Sequence, residues 1–345
     1  MMLSEDEINE KYLTELFIKK NIISKDNYII SMTKDFKNSE GSLAFSSTLK
    51  YLKNEETLPK AIFIKLDKIH SNQHYKNLTR NEINFYRLIE NCKIDWKPKI
   101  IDANYNDQFS YLILENIADT YMESEYDADI ELYKIAVRNI AEYHNKFRKL
   151  KLDNVNYEKY NPMDYKCVNL KFLLYNHKKM IHLLGENYTD EMESIFNDIT
   201  YKLEINLRKI NRYLYYKKST IVHGDFHLKN CLFNKKNPQE NMAIIDWQWW
   251  NFGVGTYDIA HLLNLYLPKR YKNKELEILK IYYDKLKELG YKYTWDECLK
   301  DYKLFTTLNL FKPSIYAVSC KLRRKSKFWA EFINNIISSY NNLNI

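Results

Sequence analysis

The sequence predicts an α+β chain in two parts, a β-rich first third and a larger helical remainder. Three observations carry this expectation. Short apolar runs separated by polar turns are gathered before residue 116, and helical periodicity takes over from about residue 130. One further strand-like island, Ile221 to Trp247, interrupts the helices. At 345 residues the chain exceeds one average domain and is long enough for two lobes sharing a cleft.

The first part opens with Ser4-Glu5-Asp6-Glu7, which reads as a capping box, followed by Ile8, Tyr12, Leu13, Leu16 and Phe17 at helical spacing. The turn Asn38-Ser39-Glu40-Gly41-Ser42 leads into a strand from Leu43 to Tyr51. Ala61-Ile62-Phe63-Ile64-Lys65-Leu66 is a second strand, interrupted near its end by a lysine. Asn77 to Ile89 is a helix candidate, and Ser110-Tyr111-Leu112-Ile113-Leu114-Glu115 a buried strand. Together they suggest a small sheet with one helix laid across it.

Strand patterning stops near residues 116–120, so the parts are taken as 1–117 and 118–345. The acidic stretch Glu123 to Asp129 follows; taken to Glu131 it reads as a solvated linker, and lining a cleft it would favour a cationic acceptor. Leu132, Ile135, Ala136, Ile140, Tyr143 and Phe147 then mark one helical face. Further helices are expected over Lys274–Leu289 and Trp295–Leu310. The basic run Lys321 to Lys327 reads as a solvated helix face.

Composition narrows the class. Hydrophobic residues make up 45% of the chain, without the bias of a disordered, fibrous or repeat protein. There is no apolar run of membrane-spanning length, and the N-terminus lacks a secretory pattern, so a cytoplasmic protein without a membrane span is expected. Five scattered cysteines, never in a CxxC pair, suit a reducing compartment and offer no metal site. The net charge of +8 is interleaved with acidic residues rather than concentrated, which argues against nucleic acid as a partner.

The chemistry is concentrated in the island. It reads Ile221-Val222-His223-Gly224-Asp225-Phe226-His227-Leu228-Lys229-Asn230, then Ala243-Ile244-Ile245-Asp246-Trp247-Gln248. Phosphoryl transfer needs a carboxylate near the acceptor hydroxyl and oxygen ligands for a divalent ion on the phosphates. Asp225 supplies the first. Asn230 and Asp246 supply the hard oxygen donors that Mg²⁺ takes. The five-residue step from Asp225 to Asn230 is close to that of a kinase catalytic loop, and Asp246 ends an apolar strand.

HGDFHLKN followed by IIDWQ and GTYDIAHLL resembles the aminoglycoside phosphotransferase and choline kinase superfamily. The Asp-Trp-Gln form, with Tyr293 to Cys298 and Asp301-Tyr302, leans toward its ecdysteroid kinase-like branch. The resemblance implies a bilobal protein-kinase-like fold. It also implies ATP as co-substrate, with GTP as an alternative, and Mg²⁺ as cofactor. The partners it implies are a nucleotide and a small-molecule acceptor. By position, Asp225 would be the catalytic base or acceptor-orienting residue, Asn230 and Asp246 the Mg²⁺ ligands, and Asp258 a brace for the loop.

An ATP site also needs a lysine for the phosphates and a glutamate to hold it. Lys65 in the strand and Glu82 in Asn81-Glu82-Ile83-Asn84-Phe85-Tyr86 stand in the right order for these roles. Leu114-Glu115-Asn116 resembles the hinge that bonds adenine through its backbone. No GxGxxG precedes Lys65, so Ser42, Ser46, Ser47 or the 38–42 turn would have to supply phosphate donors.

Other residues tempt less. His223 and His227 lack a third ligand for Zn²⁺, and His223 is expected to hold the loop locally. His144 reads as a core or supporting histidine. Trp247, Trp249, Trp250 and Phe252 read as packing against the helical part, with an aromatic acceptor wall as the sharper alternative. Rival functions are a nucleotide-binding pseudokinase acting as a partner-binding module and a protein kinase. The first would be favoured by loss of Lys65, Asp225, Asn230 or Asp246, all of which are present. HGD in place of HRD, and no APE-type segment after Asp246, weigh against the second.

Overall fold

A computed structural model of the chain describes residues 5–37, 42–67, 73–92, 94, 96–106, 109–150, 168–217, 220–240 and 242–345. The chain divides into two units, one of Met1–Met122 with Leu232–Trp249, the other of Glu123–Cys231 with Trp250–Ile345.

The first unit begins with α1 (Glu10–Lys19). The capping box expected at Ser4–Glu7 does not open it; Ser4 lies outside the described residues, and Asn9 is the cap. Its extended backbone lets Oδ1 accept from the Tyr12 N–H at 3.0 Å. Ile8 and Leu13, both fully buried in one apolar cluster, hold the staple positions that set this start.

The sheet that follows contains β1 (Ile29–Met32), β2 (Asp35–Lys37), β3 (Ser42–Tyr51), β4 (Ala61–Asp67), β5 (Ile100–Tyr105) and β6 (Ser110–Glu115). Among the described residues its order is β1–β3–β4–β6–β5, with β2 also on β3, and these pairs are antiparallel. The strands at β3, β4 and β6 match the expectation. β1, β2 and β5 are additions: β2 is wholly exposed and β5 has no buried position, so neither carries a period-2 apolar signal.

Alternation along β4 places the site. Ile62, Ile64 and Leu66 bury against Leu13, Leu16 and Phe17 of α1. The opposite face, with Phe63 and Lys65, is left for α2 (Gln73–Asn91), which packs on β4, β5 and β6. A second small sheet, β10–β9–β7, is made by β7 (Tyr121–Met122), β9 (Cys231–Asn234) and β10 (Ala243–Ile244).

The second unit is mainly helical. α3 (Ile130–Arg148) is capped by Asp129, whose Oδ1 accepts from the Glu131 N–H. Its buried face is rotated slightly from the expected stripe. Tyr133, Ala136, Val137, Ile140, Ala141, His144 and Phe147 are inside, while Leu132, Ile135 and Tyr143 are half-buried. α4 (Leu170–Leu184) and α5 (Asp190–Tyr216) follow. β8 (Thr220–Val222) pairs antiparallel with β11 (Asn251–Gly253).

The expected single β island is therefore divided. Its first strand belongs to this unit, and most of its later strands to the other. α6 (Thr256–Ala260) runs directly into a π-helical turn, His261–Tyr266. α7 (Glu275–Glu288), α8 (Trp295–Asn309), α9 (Lys312–Ser314) and α10 (Ser326–Asn342) complete the unit.

Met180, Phe196, Ile199, Leu203, Phe311, Trp329 and Ile333 belong to one of its apolar clusters. The basic run is not a helix face. Lys321 takes a left-handed backbone, φ 56°, and the helix starts only at Ser326. Among the described residues no helix is long and apolar enough to cross a membrane.

Candidate active site

In the first unit, β4 and α2 bring a lysine and a glutamate together because each lies on the face the other covers. The Lys65 ammonium, 7% exposed, donates to Glu82 Oε2 at 2.7 Å and to Asp246 Oδ1 at 2.9 Å. Gln248 Oε1 accepts a longer third bond at 3.3 Å. Burial by itself would discharge the amine, but Asp246 and Glu82 more than offset it and raise its pKa, so it stays an ammonium. Asp246 holds φ 62°, a conformation uncommon outside glycine that aims its carboxylate at Lys65.

The turn after Asp246 is clamped to α2. Asn81 Nδ2 donates to the Gln248 carbonyl at 2.8 Å. Trp247, fully buried, stacks on Phe85 at 3.9 Å and 3° and meets Trp96 edge-on at 5.2 Å. Its Nε1–H donates to the Ile244 carbonyl. Trp247 thus packs against α2. Trp250 is buried in the second unit, edge-on to Phe252.

The remaining first-unit candidates lie on β3 and at the end of β6. Ser42 is buried at the start of β3, opposite Asp67. Ser46 Oγ accepts from Asn116 Nδ2 at 3.1 Å, and Ser47 Oγ is buried without a hydrogen-bond partner. Asn38–Gly41 lie outside the described residues. The backbone N–H of Glu115 is taken by the Lys99 carbonyl at 2.9 Å, and that of Asn116 by the Ala61 carbonyl at 3.0 Å. These two N–H groups hold the sheet together.

In the second unit, β8 delivers the turn His223-Gly224-Asp225, with Gly224 at φ 86° where a side chain would be strained. Asp258, fully buried on α6, pins that turn. Its Oδ2 accepts from the His223 N–H at 2.7 Å and its Oδ1 from the Gly224 N–H at 3.0 Å. His144 of α3 adds a bond from Nε2 at 3.1 Å, while its Nδ1 lies 2.9 Å from the Tyr282 hydroxyl. Burial alone would raise the Asp258 carboxyl, but His144 and His223 hold it below the ordinary value. His223 braces the turn as expected, its Nδ1 accepting from the Asp225 N–H at 3.2 Å.

The Asp225 side chain is 21% exposed. Its Oδ1 lies 3.1 Å from His261 Nε2 and 3.2 Å from the Tyr316 hydroxyl; its Oδ2 lies 3.6 Å from His227 Nε2. Burial would raise this carboxyl too, yet the imidazoles of His227 and His261 outweigh it and keep it well below the usual range. Asn230 Nδ2 donates to the Asp225 carbonyl at 3.0 Å. Lys312, buried above the rings of Tyr257 and Tyr316, donates to the Gly224 carbonyl at 3.3 Å. Burial lowers its pKa to about 8.

Lys65, Glu82 and Asp246 are thus brought together in one unit, and Asp225 and Asn230 in the other. The acidic linker is largely neutralised within its own unit: Glu125 pairs with Lys229 at 2.7 Å, and Asp127 with Arg270. Sequence reasoning missed His261, Tyr316 and Lys312. His261 stood inside the quoted GTYDIAHLL run, and only its neighbour Asp258 was given a role. Tyr316 and Lys312 belong to no motif.

The model of the ecdysteroid kinase-like family matches residues 18–293. No curated protein matches the chain. Among solved structures, the ADP-bound aminoglycoside phosphotransferase APH(2'')-Ib is 17% identical, with 96% of this chain and 99% of that chain covered and a TM-score of 0.52. The Plasmodium vivax ethanolamine kinase is 14% identical, with 99% and 89% covered and a TM-score of 0.52. The gentamicin complex of APH(2'')-IIa is 16% identical, with 99% of each chain covered and a TM-score of 0.52. These likenesses identify the fold as kinase-like.

Proposed function

From the premise that the chain belongs to the ecdysteroid kinase-like family, we propose that it transfers the γ-phosphoryl group of ATP to a hydroxyl of a small molecule. The observation that carries this reading is the buried Lys65 ammonium held between Glu82 and Asp246. Such a lysine is a fixed positive charge, suited to ATP phosphates. Asp225 has the opposite character, an acceptor-only carboxylate kept ionised in a mostly buried turn.

In the mechanism proposed, the acceptor O–H donates to Asp225 as its oxygen attacks the γ-phosphorus. The bond from that phosphorus to the β–γ bridging oxygen breaks, ADP leaves, and the hydroxyl proton passes to Asp225. A strongly acidic carboxyl is a weak base, so Asp225 acts chiefly by orienting the hydroxyl, which suffices for a loose transition state.

The donor set fits Mg²⁺. Asp246 offers a carboxylate and Asn230 an amide oxygen, both hard ligands. Among the described residues no group of three or more His, Cys, Asp or Glu is gathered as in a protein-only metal cage. A divalent ion on either residue would therefore take the rest of its coordination from phosphate and water. Bound there, Mg²⁺ supplies charge neutralisation for the phosphoryl oxygens.

The acceptor proposed is an uncharged, ring-bearing alcohol rather than a polycation. Tyr126 and Tyr266 stack at 5.0 Å and both meet His227 edge-on, beside Asp225. The acidic side chains Glu125 and Asp127 are already paired with cations. The test is ADP release from Mg·ATP across aminoglycosides, macrolides, choline and sterols, with Asp225→Asn as control. Turnover with a neutral ring alcohol is expected. Absence of ADP release with every acceptor, together with no ATP-dependent rise in melting temperature, would refute the enzyme reading.

A further inference from the structure

We propose that His261 is a positioning residue for Asp225: with Tyr316 it occupies Oδ1 and so turns Oδ2 toward the acceptor hydroxyl. This rests on the phosphotransferase reading above. The geometry is specific to one oxygen. Both His261 Nε2, at 3.1 Å, and the Tyr316 hydroxyl, at 3.2 Å, reach Oδ1, whereas His227 Nε2 lies 3.6 Å from Oδ2, beyond hydrogen-bond length.

An ionised carboxylate only accepts, so His261 must carry its proton on Nε2. Its Nδ1 is buried without any partner. A second proton there would have nothing to bond to, and the buried Lys312 ammonium opposes a second positive charge. Burial first, then Lys312, lowers the His261 pKa to about 4. His261 is therefore a neutral donor. It holds the carboxylate by one directed bond and leaves the second oxygen able to receive a proton.

The backbone explains how this ring reaches Asp225. His261 is the first residue of the π-helical turn, His261–Tyr266, immediately after α6. A π turn widens the helix and redirects the side chains at its start. It also leaves carbonyls without regular helical donors, and here other elements supply them. Lys272 donates to the Leu263 carbonyl at 2.7 Å and to the Asn264 carbonyl at 3.1 Å. Asn335 of α10 donates to the carbonyls of Asn264, Leu265 and Leu267. The Asn264 side chain is itself bonded to Glu275, Tyr302 and Asn309, all buried. A buried polar network thus maintains the irregular turn that aims His261 at Asp225.

The experiment compares His261→Leu, His261→Gln, Tyr316→Phe and Asp225→Asn. It uses whichever acceptor in the panel above gives the fastest ADP release from Mg·ATP, water included. His261→Leu should lower kcat about tenfold to a hundredfold while KM for Mg·ATP changes by less than about twofold. His261→Gln, whose amide can present an N–H near the same place, should recover kcat to within about fivefold of the wild type. Tyr316→Phe should fall between them.

Wild-type kcat in His261→Leu, with Asp225→Asn inactive, overturns the inference and leaves the phosphotransferase reading standing. A Gln variant as slow as the Leu variant, both melting like the wild type, also overturns it. If the Leu variant does not fold, the Gln and Phe variants decide: a Tyr316→Phe loss with a Gln value near the wild type supports the inference, and any other pairing overturns it. Full activity in Asp225→Asn, or no turnover with any acceptor, removes the reading itself and the inference with it.

Discussion

Replacing Asp258 by asparagine should weaken the 223–225 turn more than any other isosteric change in the second unit. The carboxylate is fully buried and accepts from the His223 N–H at 2.7 Å, the Gly224 N–H at 3.0 Å and His144 Nε2 at 3.1 Å. An amide keeps one accepting oxygen. If that oxygen faces His223 and His144, the new NH₂ group is set against the Gly224 N–H, and two donors oppose each other.

A hydrogen bond to a charged acceptor contributes about 1.5–3 kcal/mol, and a buried unsatisfied N–H costs about 1–3 kcal/mol. The variant gains part of this back because it no longer buries a charge, so a net loss of about 3 kcal/mol is expected. The carboxyl has a lowered folded pKa. Its contribution is fully present above the unfolded value of about 3.9 and is lost as pH falls through the folded value. The difference between the proteins should therefore be constant from about pH 6 to 8.

Urea denaturation gives the free energy, fitted with separate transitions if the two units melt apart. Hydrogen exchange at the His223 and Gly224 amides reports the turn itself. A loss below about 1 kcal/mol, with both amides as protected as in the wild type, would refute the reasoning.

Three further outcomes follow from the same structure. Gly255→Ala places a Cβ 2.3 Å from the Tyr282 hydroxyl and 2.5 Å from His144 Nδ1. It should break their hydrogen bond and cost about 1–3 kcal/mol in urea melts; an unchanged midpoint would contradict it. Lys65→Met strands Glu82 and Asp246 without their cation. It should cost about 3 kcal/mol, the low end for a broken buried pair because Asp246 is 34% exposed, and should abolish the Mg·ATP-dependent rise in Tm. His177 stacks on Phe196 at 3.8 Å, and burial lowers its pKa to about 4. A neutral buried histidine contributes stability that is full above about pH 6.5 and falls as pH drops toward about 4, by up to about 3 kcal/mol. His177→Phe should flatten that part of the stability profile, as read from Tm between pH 7 and 4.

Local patterns carried much of this chain. The apolar alternation of β4 and β6 and the 3.6-residue stripes of α3, α7 and α8 are written in neighbouring residues, because strand and helix each impose their own period. The pairing of Lys65 with Glu82 could be anticipated from order alone, since a strand lysine followed by a helix glutamate is a local arrangement. Asp225 and Asn230 were legible for the same reason: their five-residue spacing sits within one turn. The strands β2 and β5 were not legible, because a strand exposed or half-exposed on both faces has no apolar period. The first helix is capped at Asn9, where Ile8 and Leu13 form a buried staple.

Only the tertiary structure decided which side chains surround the two carboxylates. Asp246 meets Lys65 across 181 positions of sequence, and Tyr316 meets Asp225 across 91. No spacing rule reaches that far. His261 shows the distinction within one motif: GTYDIAHLL was visible as a string, but its histidine acquires a direction only where α6 widens into a π turn. That widening depends on donors from Lys272 and Asn335, residues the local sequence does not contain. The residue types that do chemistry are local facts, whereas the bonds that orient them and set their charge come from distant elements packed against them.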